Sequence, residues 1–199
     1  MRKAAIPIFE AKTRALEGVI PWPYLDTRGI VTIGIGHAVE SRAEWFTLPF
    51  EPNPIQSPAT SEVYLVLVWS RLHSLSFGPD LAAGWYASKS TLRLTDQAIS
   101  ALFQSDVTKL ETYARGIFSG YDDYGCDAQM GSMSMIFALG PGGIHGFPHC
   151  CAAIRAGDWA TAADQCHMQG CSAARNEFTR ACFLAAAAHP DDVDSVHVI

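Results

Sequence analysis

The sequence predicts an α+β protein, mostly helical, and three observations carry that reading. Apolar residues spaced three and four apart at Ile8, Phe9, Ala11, Ala15 and Leu16 mark an early amphipathic helix. Val31, Ile33 and Ile35 alternate with Thr32, Gly34 and Gly36 behind a turn-forming Asp26-Thr27-Arg28-Gly29, which marks a hairpin strand. Helix caps and stops then recur through the second half of the chain. With 199 residues, 49% of them hydrophobic, the chain can bury a sizeable core and does not have a disordered composition.

Taken in order, the first helix tolerates Pro7 in its first turn and stops at Gly18, where positive φ is cheap. Glu17 therefore closes the helix, and burial against the helix end is expected there, an environment that favours the protonated acid. The strand beyond the turn has one apolar face and one nearly bare face, on which Thr32 carries the only hydroxyl. A bare strand face often marks close approach by a ligand. Residues 51–58 form a loop by composition, with three prolines in seven residues. Thr60-Ser61-Glu62 caps the next segment, for which Val63, Val66 and Val68 leave helix and strand both open, helix being favoured. Trp45, Phe46, Trp69, Trp85 and Tyr86 make this stretch aromatic; packing of a subdomain is the expected role, a sugar-stacking wall the sharper alternative.

Thr95 caps a helix with an apolar stripe at Ala98, Leu102, Phe103 and Val107. Asp127 to Leu139 should be a helix buried nearly all round, stopped by Gly140-Pro141-Gly142-Gly143. Pro148 opens a short helix ending at Gly157, Asp158 caps another, and Ser172 caps the last, before His189-Pro190. Residues 190–199 form an acidic tail expected to be loose.

Glu17, Asp26 nine residues on and Thr32 six further lie inside Glu-Gly-(x)7-Asp-(x)2-Gly-(x)2-Thr-Ile-Gly-Ile-Gly-His. This pattern resembles the phage-type lysozymes, glycoside hydrolase family 24. Leu102 to Val107, the Gly-Gly-Ile-His-Gly-Phe stretch and the Gly157-Asp158-Trp159 corner are also similar to that family. The likeness covers about residues 8–40 and 94–188, and the intervening 38–94 contains an insertion unlike the family. The resemblance implies one lysozyme-like domain over 1–189, with a small N-terminal β-hairpin lobe, a larger helical lobe and the active-site cleft between them. It implies Glu17, Asp26 and Thr32 as the catalytic trio and His37 paired with Asp106. Arg175 matches an arginine beside the catalytic glutamate, and Gly34 and Phe137 count as supporting residues.

The implied activity is hydrolysis of the β-1,4 bond between N-acetylmuramic acid and N-acetylglucosamine in peptidoglycan. Glu17 would protonate the leaving oxygen, while Asp26 and Thr32 polarise a water on the opposite face of the sugar. That division implies inversion, with the carboxyl groups roughly 6.5 to 9.5 Å apart. No cofactor or metal is expected, and the implied partner is the glycan strand bound by a monomer. An immunity protein joins it if the chain is a secreted antibacterial effector rather than a bacteriolytic endolysin.

A net charge of −6 argues against nucleic acid as a partner and provides no long-range attraction to an anionic wall. Glu10, Lys12 and Arg14 interrupt any signal-peptide core, so the expectation is synthesis in the cytoplasm without a cleavable signal and action on the wall in the periplasm or outside the cell. Among the six cysteines, Cys150, Cys151, Cys166 and Cys171 crowd near His149 and His167, but their spacing matches no zinc ribbon or finger. Buried thiols are the expected state, with a Cys166–Cys171 disulfide left open. Two other readings stay beside the enzyme: a glycan-binding module without catalysis and a zinc-dependent interaction domain.

Overall fold

The computed structural model describes residues 1–51 and 61–198. The protein is an α+β fold, mostly helical, with one small antiparallel sheet. In chain order the elements are α1 (Ala5–Glu17), β1 (Ile20–Leu25), β2 (Val31–Gly34), β3 (His37–Ala38), α2 (Arg42–Trp45), α3 (Glu62–His73), α4 (Asp96–Ile117), α5 (Cys126–Gly143), α6 (Pro148–Ala156), α7 (Trp159–Gln165) and α8 (Ala173–Ala188). The chain divides into two compact units, Thr13–Asp106 and Met1–Lys12 together with the chain from Val107 on, the divisions falling inside α1 and α4.

In α1 the expected stop is present: Gly18, at φ +78°, donates its N–H to Arg14 O at 3.0 Å. The buried stripe is Ala5, Phe9 and Thr13, whereas Ala11 and Ala15 are exposed. Two alanine methyls bury too little to orient a helix against a phenyl ring, so Phe9 decides the inward face.

The unit Thr13–Asp106 holds the sheet, in strand order β1-β2-β3. A third strand appears where a simple hairpin is expected, because Gly34 and Gly36, at φ +70° and +72°, reverse the chain and pair Ile33 with His37. Ile35 thus belongs to the turn. Pro21 and Pro23 remove two ladder donors from β1, and the pairing with β2 slips between Ile20 and Tyr24. Residues 83–94 are tied to this irregular strand. Leu94 N donates to Pro21 O and Trp22 Nε1 to Ala83 O, each at 2.9 Å. Ser61 caps α3 by accepting from Tyr64 N at 3.3 Å, and Leu65, Val68 and Leu72 are its buried face, so helix wins over strand. Trp45 and Tyr86 are fully buried, and Trp45 donates Nε1 to Leu65 O at 3.0 Å. These aromatics pack a core, as does half-buried Trp69, 5.4 Å from Trp45. The proline-rich loop reading, from Pro52 to Pro58, and Thr60 lie outside the described residues.

The second unit is built on α5, buried at every position from Cys126 to Ile136. Gly140, at φ +70° and ψ +170°, breaks it where the glycine-proline run predicts. Gly131 lets α8 approach closely: a Cβ there would stand 2.9 Å from the Phe183 ring. Pro148 opens α6, Gly157 ends it at φ +70°, and Asp158 and Ser172 cap α7 and α8 through Thr161 N at 3.0 Å and Arg175 N at 3.2 Å. α7 ends at Gln165.

The expectation of a loose C-terminal stretch does not hold for residues 193–198. Cys126 N donates to Val193 O at 2.9 Å, and the buried Asp127 carboxylate accepts from His197 N at 3.0 Å and Val198 N at 3.1 Å. Arg2 pairs with Asp194 at 2.5 Å. Acidic composition was misleading here because one buried acceptor gathers several backbone donors that would otherwise stay solvated. Replacing Asp127 by alanine leaves those donors unsatisfied and should lower unfolding free energy by about 3 kcal/mol in urea titration.

Candidate functional site

Within Thr13–Asp106 the hairpin carries one carboxylate, Asp26, and two hydroxyls, Tyr24 and Thr32, and Glu17 closes the helix before it. Tyr24 of β1 pairs with Thr32 of β2, so both side chains share one face of the sheet. Asp26, just past β1, donates its N–H to Ile30 O at 2.9 Å. The Tyr24 hydroxyl is pushed up to about 12, first by burial and then by the negative charges of Glu17 and Asp26. Both predicted carboxylates therefore act on one hydroxyl, which remains a neutral donor at ordinary pH. Tyr24 was missed in the sequence, although its place two residues before Asp26 on β1 was a readable signal.

The three trio residues differ in how firmly they are held. Asp26 Oδ1 accepts from Arg28 N and Ile30 N, both at 2.8 Å, while Oδ2 lies 3.4 Å from Arg28 Nε. One oxygen thus sets the turn, with Gly29 at φ +81° completing it. Thr32 is buried and donates its hydroxyl to Ile30 O at 3.1 Å, so its oxygen is left to accept. Glu17 closes α1 as expected, but it is exposed; the expected burial against the helix end is absent. The chain turns away at Gly18 directly behind it, and one apolar turn is too little to cover a carboxylate.

Gly34 has a different neighbour from the one its bareness suggests. A Cβ on it would meet Ile99 at 3.5 Å and Leu102 at 4.0 Å, so α4 covers this side and the glycine serves the turn. His37 pairs with Ile33 and lies on the sheet face opposite Thr32. Its Nδ1 stands 2.8 Å from Asp106 Oδ2 and 3.0 Å from Oδ1, the pairing the resemblance implies. Glu44 adds an unforeseen second carboxylate: Oε1 is 3.5 Å from His37 Nε2, within ion-pair range but too long for a hydrogen bond, and Nε2 has no hydrogen-bond partner among the described residues. Ser41 caps α2 through Glu44 N at 3.1 Å, and Glu44 Oε2 reaches back to Glu40 N at 2.9 Å, a capping arrangement that aims the acid.

Arg175 and Phe137 belong to the other unit. Arg175 is buried in the first turn of α8, its guanidinium 5.9 Å from the Phe137 ring and 3.5 Å from Ser134 O. The cysteines are all unbridged, including Cys166 and Cys171. Burial pushes the Cys150 thiol up to about 12 and Cys182 well above its ordinary value, so these are thiols rather than thiolates. Among the described residues no group of three histidine, cysteine or acidic side chains is arranged to hold a metal ion.

Two outcomes follow. Removing the partner of buried His37 with Asp106→Ala should cost about 3 kcal/mol in chemical denaturation. Tyr24 has a folded value above that of the unfolded chain, so its contribution is complete below about pH 10 and is lost as pH rises towards the folded value. Tyr24→Phe should flatten the alkaline loss of stability and remove one late-titrating tyrosinate from the ultraviolet absorbance curve. No model of a known protein family matches the chain, and no curated protein matches it; the lysozyme likeness therefore rests on the residues themselves.

Proposed function

We propose that the chain is a glycoside hydrolase of the muramidase type, cleaving the β-1,4 bond between N-acetylmuramic acid and N-acetylglucosamine. The geometry that supports this reading is the Asp26–Ile30 turn, which fixes Asp26 Oδ1 through two backbone N–H groups and holds the Thr32 hydroxyl on Ile30 O, on the sheet face shared with Tyr24. Acetal cleavage needs a proton donor for the leaving oxygen and a second group to meet the cationic carbon, the roles proposed for Glu17 at the helix end and Asp26 in the turn.

Glu17 is the general acid, at a helix end that solvent and substrate can reach. Asp26 is the base: Oδ1 is committed to the turn, and Oδ2 is the oxygen available to draw a proton from water. Thr32 gives its own proton to Ile30 O and can only accept, so it fixes one hydrogen of that water while Asp26 takes the other. Water attacking from the side of Asp26 inverts the anomeric carbon. The chain acts on the cell wall, outside the cytoplasm, as an endolysin or as a delivered effector.

Glu17→Gln keeps the shape of the side chain and removes the transferable proton. Lysis of purified peptidoglycan should fall by roughly a hundred- to ten-thousand-fold, with binding to sacculi retained. Asp26→Asn keeps an acceptor for Arg28 N and Ile30 N, so its circular dichroism should match wild type while activity falls by a similar factor. Inverted released sugars support Asp26 as base, and retained configuration makes it a nucleophile. Undiminished lysis by a folded Glu17→Gln protein overturns the assignment.

A further inference from the structure

The inserted segment presents two exposed aromatic rings beside the candidate site. Trp85 is 41% exposed and Phe77 53%, in a unit whose other inserted aromatics are mostly buried. Phe77 lies against the hairpin tip, where a Cβ on Gly29 would be 2.8 Å from its ring. Trp85 stands edge-on to buried Tyr86 with ring centroids 4.9 Å apart, and the Lys89 ammonium sits 4.2 Å from the Trp85 centroid. Tyr86 joins the two: its hydroxyl donates to Ser76 O at 2.7 Å, one residue before Phe77, and its ring is 6.5 Å from Tyr24.

Aromatic faces recognise flat C–H surfaces such as those of pyranose rings. The charge beside Trp85 narrows the occupant. Lys89 lies over Trp85, whereas the exposed Arg28 next to Gly29 is already paired with Asp26, in a chain of net charge −6. A neutral glycan offers Lys89 no counter-ion, whereas each muramic acid residue of a sacculus bears a lactyl-linked peptide with free carboxylates.

We propose that Phe77, Trp85 and Lys89 form a glycan-binding subsite in which Phe77 and the Trp85 face away from Lys89 stack on sugar faces and Lys89 pairs with the acidic substituent of a muramic acid unit. The proposal rests on the muramidase reading and extends it: the insertion lengthens the bound glycan beyond the cleavage point. Its occupant is the same anionic strand, continuous with the turn that carries Asp26. Phe77 and Trp85 bind and position; neither touches the reacting atoms.

Cosedimentation with purified sacculi and kinetics of their clearance test this on the full chain. Trp85→Ala should raise the half-saturating sacculus concentration about tenfold with the maximal rate held within about twofold, and Phe77→Ala, whose ring lies against the Gly29 turn, should weaken cosedimentation by a similar factor. Trp85→Phe should recover most of that loss. Lys89→Met should weaken binding to sacculi but not to neutral chitin oligosaccharides, since only the former carry the carboxylate. Both rings are exposed, so matching thermal melts show that the variants are folded. A wild type that clears sacculi, with Trp85→Ala and Phe77→Ala indistinguishable from it in half-saturation and cosedimentation, overturns the subsite and leaves the muramidase reading standing. A wild type that binds sacculi through Trp85 yet clears none keeps the subsite and overturns the muramidase. Equal weakening of chitin binding by Lys89→Met overturns the carboxylate pairing.

Discussion

The buried ring of Tyr86 is the contact on which the arrangement of Thr13–Asp106 depends. β1 is a poor strand: two prolines deny it ladder donors, and its register slips before Tyr24. Such a strand needs support from outside its own sheet. Tyr86 supplies it, meeting Tyr24 on one side and Trp85 on the other while anchoring Ser76 by its hydroxyl. Leu94 and Ala83 add hydrogen bonds to the same strand. Residues 76–94 are therefore part of what holds the candidate site in place.

The opposite face of the sheet is held by different means. His37 is buried beside Ile33, and burying an imidazole among aliphatic side chains is unfavourable unless its nitrogens meet partners. Asp106 on α4 meets one and Glu44 on α2 approaches the other, so a helix on each side is drawn to the short β3 strand. Two paired residues make a marginal strand on their own. The clamp fixes the turn of Gly34 and Gly36 and so the height at which Thr32 stands.

Much of this was legible from residues whose local physics leaves one answer. Gly18, Gly157, Asp158, Ser172 and the Gly140-Pro141 stop mark helix ends because positive φ, a capping oxygen or a missing N–H has few other uses. What stayed hidden depended on long-range packing. Nothing local to Gly34 announces Ile99, nothing in an acidic tail announces Asp127, and Glu44 is an ordinary helix-start acid until His37 is folded beside it. The resemblance proposes the trio, but the exposure of Glu17 and the burial of the Tyr24 hydroxyl beside Thr32 required the fold.

That division bears on how the site would work. Asp26 is a constrained carboxylate: two backbone donors fix Oδ1, so Oδ2 cannot turn away without breaking the hairpin. Its neighbour Arg28 is mostly exposed and stands at 3.4 Å, close enough to hold Oδ2 between turnovers and loose enough to yield it. Thr32 is constrained in the same way by its bond to Ile30 O. Ile30 thus accepts the threonine hydrogen bond through its carbonyl and donates its N–H to Asp26, so one residue of the turn orients both groups on the proposed water. Groups preorganised by backbone bonds need no rearrangement during reaction, which is where electrostatic catalysis gains most. The cost is that any substitution disturbing the Asp26–Ile30 turn would misalign base and hydroxyl together, so the two would fail as a unit rather than additively.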